Sequence, residues 1–184
     1  ADVLTLGTDS PREADRAQEC QRGVATAMRP ERGDQLETLK TAAPRSYWLA
    51  YDSDTILCHL DLMAETDARN EKIGVSFRQH EDEGWTEVFV YVLDHAGMFA
   101  GIAGAVGVCG FDIDGAKAHT LGNSMVLDTF AVSTHQGDAL DNSQRDRLRE
   151  TIFRVVTGEM RLGPEIEKRL KRRSQRIQVL DPDH

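Results

Sequence analysis

The sequence predicts an α+β fold: an antiparallel sheet with two helices on one face, preceded by a helical segment. Three observations carry this. Residues 86–93 alternate like a strand, with Val88, Val90 and Val92 set against Phe89 and Tyr91. Residues 98–109 repeat Phe99, Ile102, Val106 and Cys109 at helical spacing, one face of a helix. Two further alternating runs, 112–121 and 124–133, meet at the turn dipeptide Gly122-Asn123, and a second helical run carries Leu148, Ile152, Val155 and Val156. With a last strand expected at 177–180, the order from residue 86 is βαββαβ, the ferredoxin-like arrangement.

Before that core the pattern is helical. Ser10 to Met28 opens with Pro11 in the first turn and acidic Glu13 and Asp15 behind it, and Pro30 and Gly33 end it. Asp34 to Thr41 fits a short helix with Leu36 and Leu39 on one side, stopped by Pro44. Ser53 to Ala68 is a clear helix, with Ile56, Leu57, Leu60 and Met63 on one face and Asp52 or Ser53 as its cap. Lys72 to His80 alternates as an additional leading strand, and Glu81 to Gly84 is a turn. Gly110 closes the 98–109 helix as a left-handed cap, and Asn142 or Ser143 caps the 143–157 helix, which Gly158 ends. Glu165 to Arg176 reads as a basic helical stretch. The domain division expected is 1–70, a helical linker, and 71–184, the sheet-bearing domain with its basic C-terminal end.

Composition narrows the function classes. A formal charge of −9 argues against general nucleic-acid binding, which needs a basic face. No run approaches the ~18–20 apolar residues of a membrane span. The three cysteines, Cys20, Cys58 and Cys109, show neither metal-ligand spacing nor a disulfide framework, which suits a reducing cytosol. The chain opens on Ala1 in mid-pattern with no signal peptide, so it reads as a fragment of a longer cytoplasmic protein.

Several motifs invite chemistry and have plainer readings. Gly101, Gly104, Gly107 and Gly110 recur every three residues, which is neither a dinucleotide fingerprint nor a phosphate loop; close packing of helix on sheet is favoured over a helix–helix contact. His80-Glu81-Asp82-Glu83 is a solvated turn, and His119 a satisfied surface histidine on a strand. Asp128 sits among apolar residues, and a buried carboxylate needs partners; hydrogen-bonded structure is favoured over effector recognition. The run Lys168-Arg169, Lys171-Arg172-Arg173 is a solvated helix face or a dock for an acidic neighbouring domain.

Residues 87–93 followed by Asp94-His95-Ala96-Gly97-Met98-Phe99, then Ile102-Ala103-Gly104-Ala105, Phe111-Asp112-Ile113 and Leu127-Asp128-Thr129-Phe130, resemble the first ACT domain of bacterial PII uridylyltransferase/uridylyl-removing enzymes. Tyr47-Trp48-Leu49 and the helix after it resemble the segment that precedes that domain, and the likeness spans about residues 45–180. Ala96 stands where the family usually has proline. The Gly-Ser and paired acids of a nucleotidyltransferase, and the adjacent His-Asp of a phosphohydrolase centre, are not found.

The resemblance implies a non-catalytic regulatory segment that senses glutamine or another small amino acid in nitrogen regulation. Its implied partners are a neighbouring ACT domain, the catalytic domains of the parent enzyme, through them the PII signal protein, and a second copy in a homodimer. Magnesium is implied for the parent and no cofactor for this segment. The expected effector site comprises Asp94, His95, Ala96, Gly97, Met98 and Phe99 with Asp112, Ile113 and Asp114. The loop precedes a helix, so its N–H groups suit a carboxylate, while Asp94 suits an ammonium group. The plainer reading is a strand-to-helix turn in an ACT-fold interaction or dimerisation module with no small ligand.

Overall fold

A computed structural model describes residues 11–163. The basic stretch 168–173 and the expected strand 177–180 lie outside the described residues. Two compact units divide the described residues: 11–74 with Tyr91–Leu93 and His119–Leu127, and Val75–Val90 with Asp94–Ala118 and 128–163.

The first unit is mainly helical, with α1 at Pro11–Ala27, α2 at Gly33–Ala42, α3 at Arg45–Ala50 and α4 at Ser53–Ala68. The Asp52 side chain caps α4 by accepting from Thr55 N at 2.8 Å. The short α3 was not expected. Pro44 does end α2, but its fixed φ of −68° also serves as the N-cap of a new helix that buries Tyr47 and Trp48.

The sheet has four antiparallel strands, β1 (Ile73–His80), β2 (Trp85–Leu93), β3 (Asp112–Thr120) and β4 (Met125–Ser133), in the order β1-β2-β4-β3. Helix α5 (Met98–Cys109) follows β2, and α6 (Asn142–Val156) follows β4. The central strands therefore have the ferredoxin-like order, with β2 and β3 flanking β4. The edge beside β2 is occupied by the leading strand β1. Gly84, at φ 76°, makes the β1–β2 turn possible, and a side chain there would meet the Gly137 carbonyl oxygen at 2.3 Å.

In the second unit α5 and α6 lie on one side of the sheet. Phe99 of α5 stacks on Phe130 of β4 at 5.1 Å, and Arg149 of α6 lies over Phe77 of β1 at 5.0 Å. Ile102, Val106, Leu148 and Ile152 are fully buried, as their spacing predicts. Arg78 and Glu87 pair at 2.6 Å on the opposite side, where Arg78 also covers Phe89. The expected packing of the α5 glycines against the sheet is corrected: a side chain on Gly101 would meet Val155 at 3.3 Å, and one on Gly104 would meet Leu162 at 2.5 Å. Their smallness serves α6 and the residues just after it.

The β3–β4 turn falls at Gly122-Asn123, as the sequence predicts, followed by Ser124 in the left-handed conformation at φ 63°. Gly122 also donates its N–H to the Ala42 carbonyl at the end of α2. One local expectation is corrected. The cap of α6 is Asp141, whose carboxylate accepts from Gln144 N while the Gln144 side chain accepts from Asp141 N, both within 2.9 Å. Among the described residues no helix is long and apolar enough to cross a membrane.

Candidate functional site

The loop between β2 and α5 turns the chain from strand to helix in four residues. Gly97 sits at φ 83°, a conformation that costs other residues about 1–2 kcal/mol. Met98 N donates to the His95 carbonyl at 3.0 Å and Gly101 N to that of Gly97 at 2.8 Å. No side chain caps the helix. A side-chain carbon on Gly97 would meet nothing within 4 Å, so the space above the loop is open. Asp94, His95, Ala96 and Gly97 are exposed and Met98 is half-buried.

Phe99 corrects its place in the expected core. It is 42% exposed, with one face of its ring on Phe130 and the rest in solvent. It lies in the first turn of α5, where no preceding turn flanks it, so helical spacing marks its side but not its depth.

Asp128 lies on β4 two residues before Phe130, hence on the same side of the sheet as α5. It is 1% exposed, and neither carboxylate oxygen has a hydrogen-bond partner. The reading of Asp128 as hydrogen-bonded structure is therefore corrected. Burial, and to a lesser degree the nearby charge of Asp94, raises its pKa from 3.8 to about 6. Two acids of unlike exposure, Asp94 and Asp128, are thus close enough for the charge of one to act on the other.

The residues expected from β3 divide. Asp112 bonds His135 at 2.6 Å, and Asp114 accepts from the Ser133 hydroxyl at 2.8 Å. Ser133 is an odd number of residues from Phe130, so these two acids occupy the other side of the sheet. Ile113, 39% exposed, takes the α5 side by alternation. The loop, Phe99, Asp128 and Ile113 share one side; Asp112 and Asp114 are engaged elsewhere.

Sequence reasoning missed a polar cluster in the first unit. Tyr47 Oη lies 2.8 Å from Nδ1 of the fully buried His59, and Tyr51 Oη lies 3.4 Å from His119 Nδ1. Burial drives the Tyr47 phenol well above its ordinary pKa. His119 is half-buried against the Tyr47 ring, a satisfied histidine but not a surface one. A histidine within the apolar stripe of α4 was the available signal. Among the described residues no three His, Cys, Asp or Glu side chains converge as metal ligands.

No protein-family model matches the sequence. The chain is 31% identical over 171 residues to the bifunctional uridylyltransferase/uridylyl-removing enzyme of Gluconobacter oxydans, covering 91% of this chain and 18% of that protein. It is 30% identical over 177 residues to the enzyme of the same name from Rhodospirillum rubrum, covering 96% of this chain and 18% of the relative. The enzyme from Novosphingobium aromaticivorans is 30% identical over 169 residues, with coverage of 91% and 18%. The chain matches one segment of that enzyme. It spans less than a fifth of the relatives' length, and the similarity runs through both the helical unit and the sheet.

Proposed function

We propose that this chain is a non-catalytic regulatory segment of a bifunctional uridylyltransferase/uridylyl-removing enzyme, built on an ACT-type fold that senses glutamine in nitrogen regulation. The observation that carries the reading is the match of 91–96% of the chain to one segment of those enzymes. The site geometry supports it. An uncapped helix start offers N–H groups to a carboxylate, and Asp94 offers the opposite charge to an ammonium group. His95, Ala96, Gly97, Met98 and Phe99 frame the approach. The β3 residues Asp112, Ile113 and Asp114 follow the C-terminal end of α5, not its start, and Asp112 and Asp114 already hold His135 and Ser133.

An effector that binds one arrangement of the parent's domains more tightly shifts the balance between its two activities. A difference of about 1–3 kcal/mol changes them five- to a hundredfold. Uridylyl transfer to PII, its magnesium and its cytoplasmic setting belong in this reading to the parent's other domains. Calorimetry with glutamine and a panel of other amino acids tests the proposal, on this chain and on a longer protein that includes the following ACT domain. Heat with glutamine in either is expected; silence in both overturns it.

A second reading has its own observation. β3 is an edge strand exposed along most of its length, and Phe99 and Ile113 are large apolar side chains left in solvent. An interaction or dimerisation module without a ligand would use that surface. A concentration-dependent dimer that glutamine leaves unchanged favours it.

A further inference from the structure

We propose that Asp128, together with Asp94, is the receptor for a ligand's ammonium group beside the start of α5. The inference rests on the effector-site reading above and names the group that holds the ligand's positive charge.

Asp128 is buried to 1% exposure on the side of β4 that faces α5, and both of its oxygens lack a partner. A buried carboxylate left unpaired costs several kcal/mol or stays protonated. Among the described residues other buried polar groups are satisfied, including Thr86, which accepts from Leu140 N at 2.8 Å, and Glu87, held by Arg78 at 2.6 Å. An orphan acid in such a setting marks a position whose partner comes from outside. Asp94 adds a second negative charge close enough to disfavour ionisation of the first. One positive group placed between them removes both penalties.

The chemistry of that group is constrained. Among the described residues no third His, Cys, Asp or Glu joins these two carboxylates, so a divalent cation would have to fill the rest of its shell with water beside an acid that is 1% exposed. A primary ammonium has three donors and fits two acids with one donor to spare. The α5 start has no side-chain cap, its Phe99 stacks on Phe130 two residues from Asp128, and its open N–H groups suit a carboxylate. A zwitterion, with ammonium and carboxylate on adjacent atoms, is the ligand class these three elements describe. Asp94 alone, exposed on the loop, would hold an ammonium weakly. The buried Asp128 supplies the stronger contact, because a charge-assisted bond away from water is worth about twice a neutral one.

The test follows the Asp128 carboxyl carbon by NMR in the whole chain from pH 4 to 8, without ligand, with millimolar glutamine, and with methylammonium as a probe of the ammonium subsite alone. Glutamine is expected to lower the Asp128 titration midpoint by about one unit, as an opposite charge at contact distance does. Asp128→Asn should weaken glutamine binding tenfold or more. Glutaramic acid, the same skeleton without the ammonium, should bind both proteins alike. If methylammonium lowers the midpoint and glutamine does not, the ammonium receptor stands and the glutamine reading falls. If glutamine binds Asp128→Asn as it binds the parent chain and the midpoint does not move, the assignment of Asp128 is overturned while the effector site stands. A midpoint unmoved by either probe overturns the receptor outright.

Discussion

Helices α5 and α6 belong to the same unit and begin in opposite ways. At α6 a reciprocal capping box closes the first turn, with Asp141 and Gln144 each satisfying the other's backbone N–H. At α5 the cap is Gly97, no side chain reaches the first turn, and a buried acid without a partner lies alongside. A helix start finished by its own sequence is structure. One left open beside an orphaned carboxylate is not finished by its own sequence, and the proposed ammonium receptor rests on that difference. The helical unit teaches the same lesson. Its buried His59 is as deep as Asp128, yet it is bonded to Tyr47, and the pair needs no ligand to account for it.

The largest expected effect sets the scale, since both helices share one core. Leu148→Ala empties a fully buried position between them and should cost about 2–5 kcal/mol in chemical denaturation. A loss below about 1 kcal/mol would mean that α6 does not carry the core.

Asp128→Asn should move stability the other way. A raised folded-state pKa means that the native protein holds a proton which the unfolded chain has released between pH 3.8 and about 6. Stability from this group is present below that window and is lost as pH rises through it. At pH 7 the ionised side chain destabilises the free protein by about 2 kcal/mol, allowing for solvent screening. Replacing it should raise the midpoint of unfolding at pH 7 and flatten its fall between pH 4 and 6. Equal slopes in the two proteins would mean that Asp128 has found a partner in solution.

How much of this was legible in the sequence depends on the range of the interaction. β2, α5 and α6 were readable because period and burial coincide along one element, as Val88, Ile102 and Leu148 show. The α3 helix was not, because Pro44 ends one helix and starts another with the same φ. Phe99 kept the right period but sits in a first turn that nothing flanks. The α5 glycines had a legible function, close approach, but their partners Val155 and Leu162 are more than fifty residues away in the chain. The site divided in the same way. The loop announces itself through Gly97 and the helix behind it. The unpaired state of Asp128 depends on everything around it, and no local pattern distinguishes an acid with partners from one without.

A smaller effect tests the finished helix start. Asp141→Ala removes the acceptor for Gln144 N and should cost about 1 kcal/mol. Ligand titrations should be unaffected, because this cap serves only α6. Gly97→Ala should cost a similar amount through its left-handed backbone, with open space above it. Unlike the Asp141 change, it should also weaken effector binding, because the strain falls on the loop that frames the site.

The smallest change in stability comes from Asp94→Asn, and it is the most specific probe of the open end. Asp94 is exposed, so its own contribution to folding is less than about 0.5 kcal/mol. Its effect should appear on its neighbour. The Asp94 charge raises the Asp128 pKa, second in size to burial. Removing that charge should lower the Asp128 midpoint while leaving it above the usual carboxylate range, since burial remains. The fall of stability with pH should accordingly be smaller and end at lower pH than in the parent chain. The sign is the discriminating feature: a structural role for Asp94 in the loop would lower stability and leave the Asp128 titration alone. A midpoint that stays fixed when Asp94 is neutralised would show that the two acids do not sense one another, and α5 would then begin no differently from any other glycine-capped helix.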